Sequence, residues 1–188
     1  LLRLTPAKDG IYRVKTPLAQ IDPKLIDATL FYEDRLFKNH KGVNPGSIVR
    51  AGMETLMGAR RMGASTITMQ LARMRLKLRT NTFEGKIRQI WHALRYETHY
   101  SKDEILEAYL NLAPYGGNVE GAGAASRVWF HKPPSMLSAA EAASLAVIPQ
   151  NPVKRRPMAA GNTELDDARI RLGLAMIRAG ALSERLSE

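Results

Sequence analysis

The chain has 188 residues, no cysteine and a formal net charge of +10, with 45% apolar and 6% aromatic residues. That is enough chain to bury one real core, and the missing cysteine excludes disulfides and thiol chemistry while fitting an oxidising or a reducing compartment equally. No run is long enough to span a bilayer; ten basic side chains between Arg50 and Arg95, against only Glu54 and Glu84, concentrate +8 of the charge and point to an anionic partner, whether nucleic acid, an anionic membrane surface or a phosphate-bearing substrate.

The chain starts at Leu1 and reads as a piece of a longer protein, so a targeting or membrane segment is expected outside it. Valine is sparse and alternating apolar and polar runs are hard to find, so the fold is expected to be all-α. Residues 1–20 carry Thr5-Pro6, Asp9-Gly10 and Thr16-Pro17 and read as an N-terminal arm, extended or a short strand through Ile11, Tyr12, Val14 and Leu18. Asp22-Pro23 is an N-cap followed by proline at the first helical position, and predicts a helix to about Tyr32 that delivers Glu33. Ser47 is expected to cap a helix through Leu56, and Gly58 and Gly63 to bracket a basic hinge. A helix should start near Ser65, with Ile67, Met69, Ala72 and Leu76 on its apolar face. After a break at residues 79–82, Phe83, Ile87, Ile90, Trp91 and Leu94 follow the i, i+3, i+4, i+7 rule and predict a helix with Trp91 in the core. Ser101–Glu104 is a capping box opening a helix to Leu112. Glycine-rich residues 114–123 lead into a short helix ending near Phe130, a second capping box at Ser138–Glu141 opens an alanine-rich helix to Ile148, and an amphipathic helix runs from Thr163 to about Leu186.

The chemistry gathers first at Glu33-Asp34, with Phe37 and His40 close behind. A carboxylate at the end of a buried helix is costly unless it is paired or used, so Glu33 is the candidate general base; the other reading is a helix end with its charges in water. His40 reads as an acid or as a packed, hydrogen-bonded histidine. The four scattered histidines form no HxxE or HxxxH pair, so no metal ligands are assigned. Ser65, Thr66, Thr68 and Gln70, at a helix start preceded by glycine, either cap that helix or hold an anion or sugar. Arg73, Arg75, Lys77 and Arg79 alternate with Met74, Leu76 and Leu78 and are either a solvated basic surface or a segment lying against lipid headgroups. Lys86 and Arg88 share a helix with Gln89, as surface charge or as phosphate contacts. Gly116-Gly117 is a turn or a substrate contact.

Taken in this order, the segments resemble the peptidoglycan glycosyltransferases of family 51, the glycan-polymerising domains of class A penicillin-binding proteins and of monofunctional transglycosylases. The first motif of that family, E-D-x-x-F-x-x-H-x-G, is matched by Glu33, Asp34, Phe37, His40 and Gly42. The second, G-x-S-T-x-T-Q-Q, is matched by Gly63, Ser65, Thr66, Thr68 and Gln70, with Met69 in place of the first glutamine. The stretch Tyr100 to Asn111 is similar to the fourth. The third departs: where the family writes R-K-x-x-E, this chain has Gly85-Lys86-Ile87-Arg88-Gln89, and Arg73-Met74 replaces a frequent lysine-asparagine pair.

The resemblance implies a lysozyme-like, two-lobed helical domain over residues 21–188, with a lobe at about 46–80 against the bilayer at the periplasmic face of the bacterial inner membrane. It places a transmembrane helix and a transpeptidase domain outside this fragment. The implied substrates are lipid II and the growing glycan strand, polymerised with inversion and release of undecaprenyl pyrophosphate. Moenomycin is the implied inhibitor and other cell-wall synthesis proteins are implied partners. Glu33 would take the proton of the acceptor hydroxyl, while Asp34, Phe37, His40, Ser65, Thr66, Gln70, Arg73, Lys86 and Arg88 would bind substrate, the cations meeting the leaving pyrophosphate. Gln89 stands at the position of the second catalytic glutamate, near a divalent cation (Mg or Mn) in the family. It cannot ionise, so metal dependence is expected to be weak or dispensable, and Gln89→Glu to raise turnover or metal response. A non-catalytic binder of lipid-linked glycan is the competing class. Nucleic-acid binding is a third, without a motif to support it.

Overall fold

The computed structural model describes residues 5–46, 65–157 and 161–181. Among these residues it is all-α, as expected: α1 (Pro23–Glu33), α2 (Ile67–Leu76), α3 (Phe83–His99), α4 (Lys102–Leu112), α5 (Ala122–Phe130), α6 (Ala139–Val147) and α7 (Thr163–Arg178). The helix expected after Ser47, the basic hinge and much of the lobe at 46–80 lie outside the described residues. No described helix is long and apolar enough to cross a membrane.

The helix starts fall where short polar side chains can take up the free N–H groups of a first turn. Thr66 caps α2 by accepting from Met69 N–H, and Thr82 caps α3 by accepting from Gly85 N–H. Ser101 and Glu104 bond reciprocally at the start of α4. Ser138 and Glu141 do so at α6, and Asn162 caps α7.

The chain divides into two compact units. One spans Leu1–Tyr32 and Leu110–Glu188. Its core is built from small and branched side chains, including Leu25, Ala122, Ala124, Ala125, Leu145, Val147 and Leu172, with Tyr115 fully enclosed. Alanine at successive buried positions lets α5, α6 and α7 approach closely. In its described residues the N-terminal arm makes no strand. It forms an isolated bridge, Tyr12 N–H donating to Asn118 O and Glu120 N–H to Tyr12 O, and the Asn111 side chain both accepts from Thr16 N–H and donates to Thr16 O, each at 2.8 Å. On α7 the buried residues are Leu165, Ala168, Leu172 and Met176, whereas Ile170, Leu174 and Ile177 are exposed.

The other unit, Glu33–Tyr109, contains α2, α3 and most of α4. α2 buries Ile67, Met69, Leu71 and Ala72, but Leu76, expected inside, is exposed on its last turn. The larger correction is in α3. Its stripe Phe83, Ile87, Trp91 and Leu94 faces outward, and Trp91, expected in the core, is 51% exposed. The helix buries Gly85, Gln89 and Ala93 instead. Hydrophobic periodicity identifies residues that share a face, but not the direction of that face. Here the small, polar side packs and the large apolar side does not. At Gly85 a side chain has no room, because a Cβ there would run into the Arg79 carbonyl.

The arm depends on another glycine. A Cβ on Gly123, in the first turn of α5, would run into Thr16 Oγ1 and lie 2.9 Å from Val14 O. Gly123→Ala is therefore expected to lower stability by about 1–3 kcal/mol through overpacking, despite alanine's better helix propensity, as read by urea unfolding.

Candidate active site

Glu33 is the last residue of α1 and is half-buried. Its Oε2 accepts from the Gln70 side-chain amide on α2 at 2.7 Å. A hydrogen bond donated by a neutral amide favours the ionised carboxylate without neutralising it, which suits a proton acceptor.

The adjacent carboxylate turns inward. Asp34 Oδ2 accepts from Ile67 N–H, the first residue of α2, at 3.0 Å, and both its oxygens lie within 2.9–3.0 Å of His40 Nε2. Nε2 therefore carries the proton. The charge of Asp34 sits where the orphan N–H groups and dipole of a helix start stabilise an anion. Phe37 meets the His40 ring edge-on at 6.2 Å. Thr66 Oγ1 donates to Gly42 O at 2.6 Å while capping α2. Gly42 has φ +83°, and a Cβ on it would lie 2.8 Å from Ala93 O, so the glycine of the first motif is needed for both conformation and space.

Two residues not anticipated as part of the site tie this loop down. Lys102 Nζ, from α4, donates to His40 O at 2.6 Å and to Glu97 Oε1 at 2.7 Å, and stands 4.4 Å over the Phe37 ring. Thr68 Oγ1 also donates to Glu97 Oε1 at 2.6 Å. Lys102 lies within the fourth-motif stretch, and that was the available signal; nothing in the sequence marks Glu97. The side chains of Asp34, Phe37, His40 and Thr66, expected at the substrate, are thus buried and bonded within the protein. What they do is fix the loop that follows Glu33 to the start of α2.

On the same unit a cationic cluster forms. Lys86 Nζ donates to Ser65 Oγ at 2.8 Å and to Gln89 Oε1 at 3.0 Å. Gln89 is 1% exposed, and its amide donates to Met69 O at 2.7 Å. Arg73 is exposed and three residues beyond Gln70, so the two share a side of α2. Arg88 does not join the cluster. Two residues on from Lys86, it sits on the far side of α3, exposed and paired with Glu84 at 2.9 Å. Of the candidates, then, Glu33 and Gln70 come together, Lys86 joins Ser65 and Gln89 with Arg73 near, and Arg88 stands apart.

Burial pushes the Lys86 ammonium below the usual lysine range, and the like charge of Arg73 adds to this. The charged form is the one disfavoured, so it is lost at lower pH than for an ordinary lysine, and any anion it holds is released as pH rises. Arg73→Ala is expected to weaken anion binding, with inorganic pyrophosphate as the probe, yet move its alkaline limb to higher pH, as measured by calorimetric titration across pH 7–11.

A family model described as Transglycosylase matches residues 4–176. The chain is 49% identical over 150 residues to penicillin-binding protein 1C of Escherichia coli, covering 79% of this chain and 19% of that protein. It is 40% identical over 147 residues to penicillin-binding protein 1A of the same organism, covering 78% of this chain and 17% of that protein. It is 37% identical over 156 residues to a biosynthetic peptidoglycan transglycosylase of Rhodospirillum centenum, covering 83% and 68%. The chain thus spans about a fifth of the length of these penicillin-binding proteins.

Proposed function

The chain belongs to the transglycosylase family, and we propose that it is a peptidoglycan glycosyltransferase domain that polymerises lipid II. The observation that carries this reading is the division of labour on α2: Gln70 holds the Glu33 carboxylate, and Arg73, three residues on, stands with Lys86. Transfer with inversion needs a base at the attacking hydroxyl and charge relief at the leaving group. Glu33 takes the proton of the acceptor 4-hydroxyl as its oxygen bonds to the anomeric carbon of the donor. The bond from that carbon to the pyrophosphate oxygen breaks, and the electron pair leaves with undecaprenyl pyrophosphate. Lys86 and Arg73 receive the charge, and Ser65 helps to aim Lys86. Arginine adds a two-point grip on phosphate.

Glu33→Gln keeps the shape and the contact with Gln70 but removes the base. It is expected to cut polymer formation from labelled lipid II by about 10²–10⁴-fold, with the wild-type reaction blocked by moenomycin. Undiminished polymer from this variant would remove Glu33 from the mechanism. Lipid II bound by the wild type without any polymer would favour the non-catalytic binder.

The outward stripe of α3 supports a lipid surface as a partner, at the periplasmic face of the bacterial inner membrane. Phe83, Ile87, Trp91 and Leu94 form an apolar band, with Arg88 and Arg95 alongside and the Arg95 guanidinium 4.8 Å over the Trp91 ring. Apolar side chains bordered by arginine match an anionic interface, where rings settle at headgroup depth. This reading adds α3 to the alternating basic run after Arg73 as a lipid contact. Trp91 emission is expected to shift to the blue with phosphatidylglycerol vesicles and to shift little with phosphatidylcholine. Trp91→Ala with Phe83→Ala should reduce vesicle cosedimentation severalfold.

A further inference from the structure

Two of the places where the chain departs from the motif pattern, Met69 and Gln89, meet in the structure. The Gln89 amide donates to the Met69 carbonyl on α2, and its oxygen accepts from Lys86 on its own helix. Both ends of the carboxamide are thus used, at a position 1% exposed. A divalent cation does not fit this arrangement. The one oxygen Gln89 offers is taken by an ammonium, its nitrogen faces a carbonyl, and the charged neighbours, Lys86 and Arg73, are cations. Among the described residues no three of His, Cys, Asp and Glu gather into a metal-holding group.

We propose that Gln89 is a positioning residue that braces Lys86 between α2 and α3 with its charge uncancelled, so that Lys86 and Arg73 meet a pyrophosphate directly, without a metal ion. The assignment of pyrophosphate rests on the function proposed above. The geometry explains why an amide is required. A glutamate here would set a buried anion against the Met69 carbonyl, with no donor to offer it. It would also pair with Lys86 and cancel the charge that an incoming phosphate needs. An apolar residue would leave the carbonyl and the ammonium unsupported. This reverses the expectation that Gln89→Glu raises turnover.

The test is calorimetric binding of inorganic pyrophosphate to the full chain, in EDTA and in Mg²⁺. The wild type is expected to bind equally in both. Gln89→Glu should bind about tenfold more weakly in EDTA, the effect of losing one charge-assisted contact. Gln89→Met, of similar length without the hydrogen bonds, should lose severalfold. In steady-state polymerisation the KM for lipid II should rise more than kcat falls in both variants, a split that simple loss of folded protein would not produce. Binding by the wild type only with Mg²⁺, undiminished binding by Gln89→Glu, or Gln89→Met indistinguishable from wild type would each overturn the proposal. Should Gln89→Glu fail to fold, Gln89→Met and the EDTA comparison decide. Metal-independent binding with no polymer from lipid II sinks the catalytic reading alone; polymer formed only with metal sinks this one alone.

Discussion

The Asp34 carboxylate is buried, and its position is what the rest of the candidate site depends on. Removing a charge from water costs several kcal/mol unless donors replace the lost solvent. Here the His40 ring and the first N–H of α2 replace it. Ile67 is 33 residues from Asp34, so that bond closes the loop that carries Phe37 and Gly42 onto the start of a helix. Thr66 and Lys102 close it again from two other directions. With the loop held at both ends, Glu33 is presented to Gln70 and not to solvent alone. A single ionic anchor therefore sets the geometry of a neighbouring carboxylate that has a different task. Adjacent acids in sequence are divided into one that is tied into the protein and one that, in the proposed mechanism, takes the proton.

The cationic side is organised by neutral groups. Ser65 and Gln89 orient Lys86 without neutralising it, and Arg73 makes its charge harder to keep. Such a cluster is poised for an anion, because binding one relieves both the burial of Lys86 and its repulsion by Arg73. The repulsion that lowers the Lys86 ammonium is thus the same quantity that favours a bound phosphate.

Much of this was legible in the sequence, and the failures share a cause. Helix starts were readable because capping is local: Thr82, Ser138 and Asn162 act on N–H groups within three residues of themselves. Glu33 was readable as the candidate base, but its bond to Gln70 was not, since the two are 37 residues apart and Gln70 was read as a contact to an anion or sugar. His40 was readable as a packed, hydrogen-bonded histidine, but the inward turn of Asp34 was not, since its partner Ile67 is 33 residues away. Nor was the orientation of α3. Phe83, Ile87, Trp91 and Leu94 promise burial by any local rule, and only the fit of Gly85, Gln89 and Ala93 against the unit turns the stripe outward. That Arg88 stands apart from Lys86 follows from helix geometry, because two residues along a helix is close to half a turn.

That inversion of α3 joins two properties in one rigid rod. Lys86 and Ile87 are consecutive, about 100° apart around the axis, so the edge of the apolar stripe and the ammonium move as one body. Phe83 to Leu94 covers eleven residue steps, roughly 16 Å along the helix. If the stripe settles into a lipid surface, the height of Lys86 above that surface is set by the helix and not by any loop. The domain then carries a depth gauge, which selects phosphates by their altitude over the hydrocarbon as well as by their charge. A soluble pyrophosphate and one tethered to a lipid would present the same oxygens, yet only the tethered one would be delivered at the level where Lys86 waits.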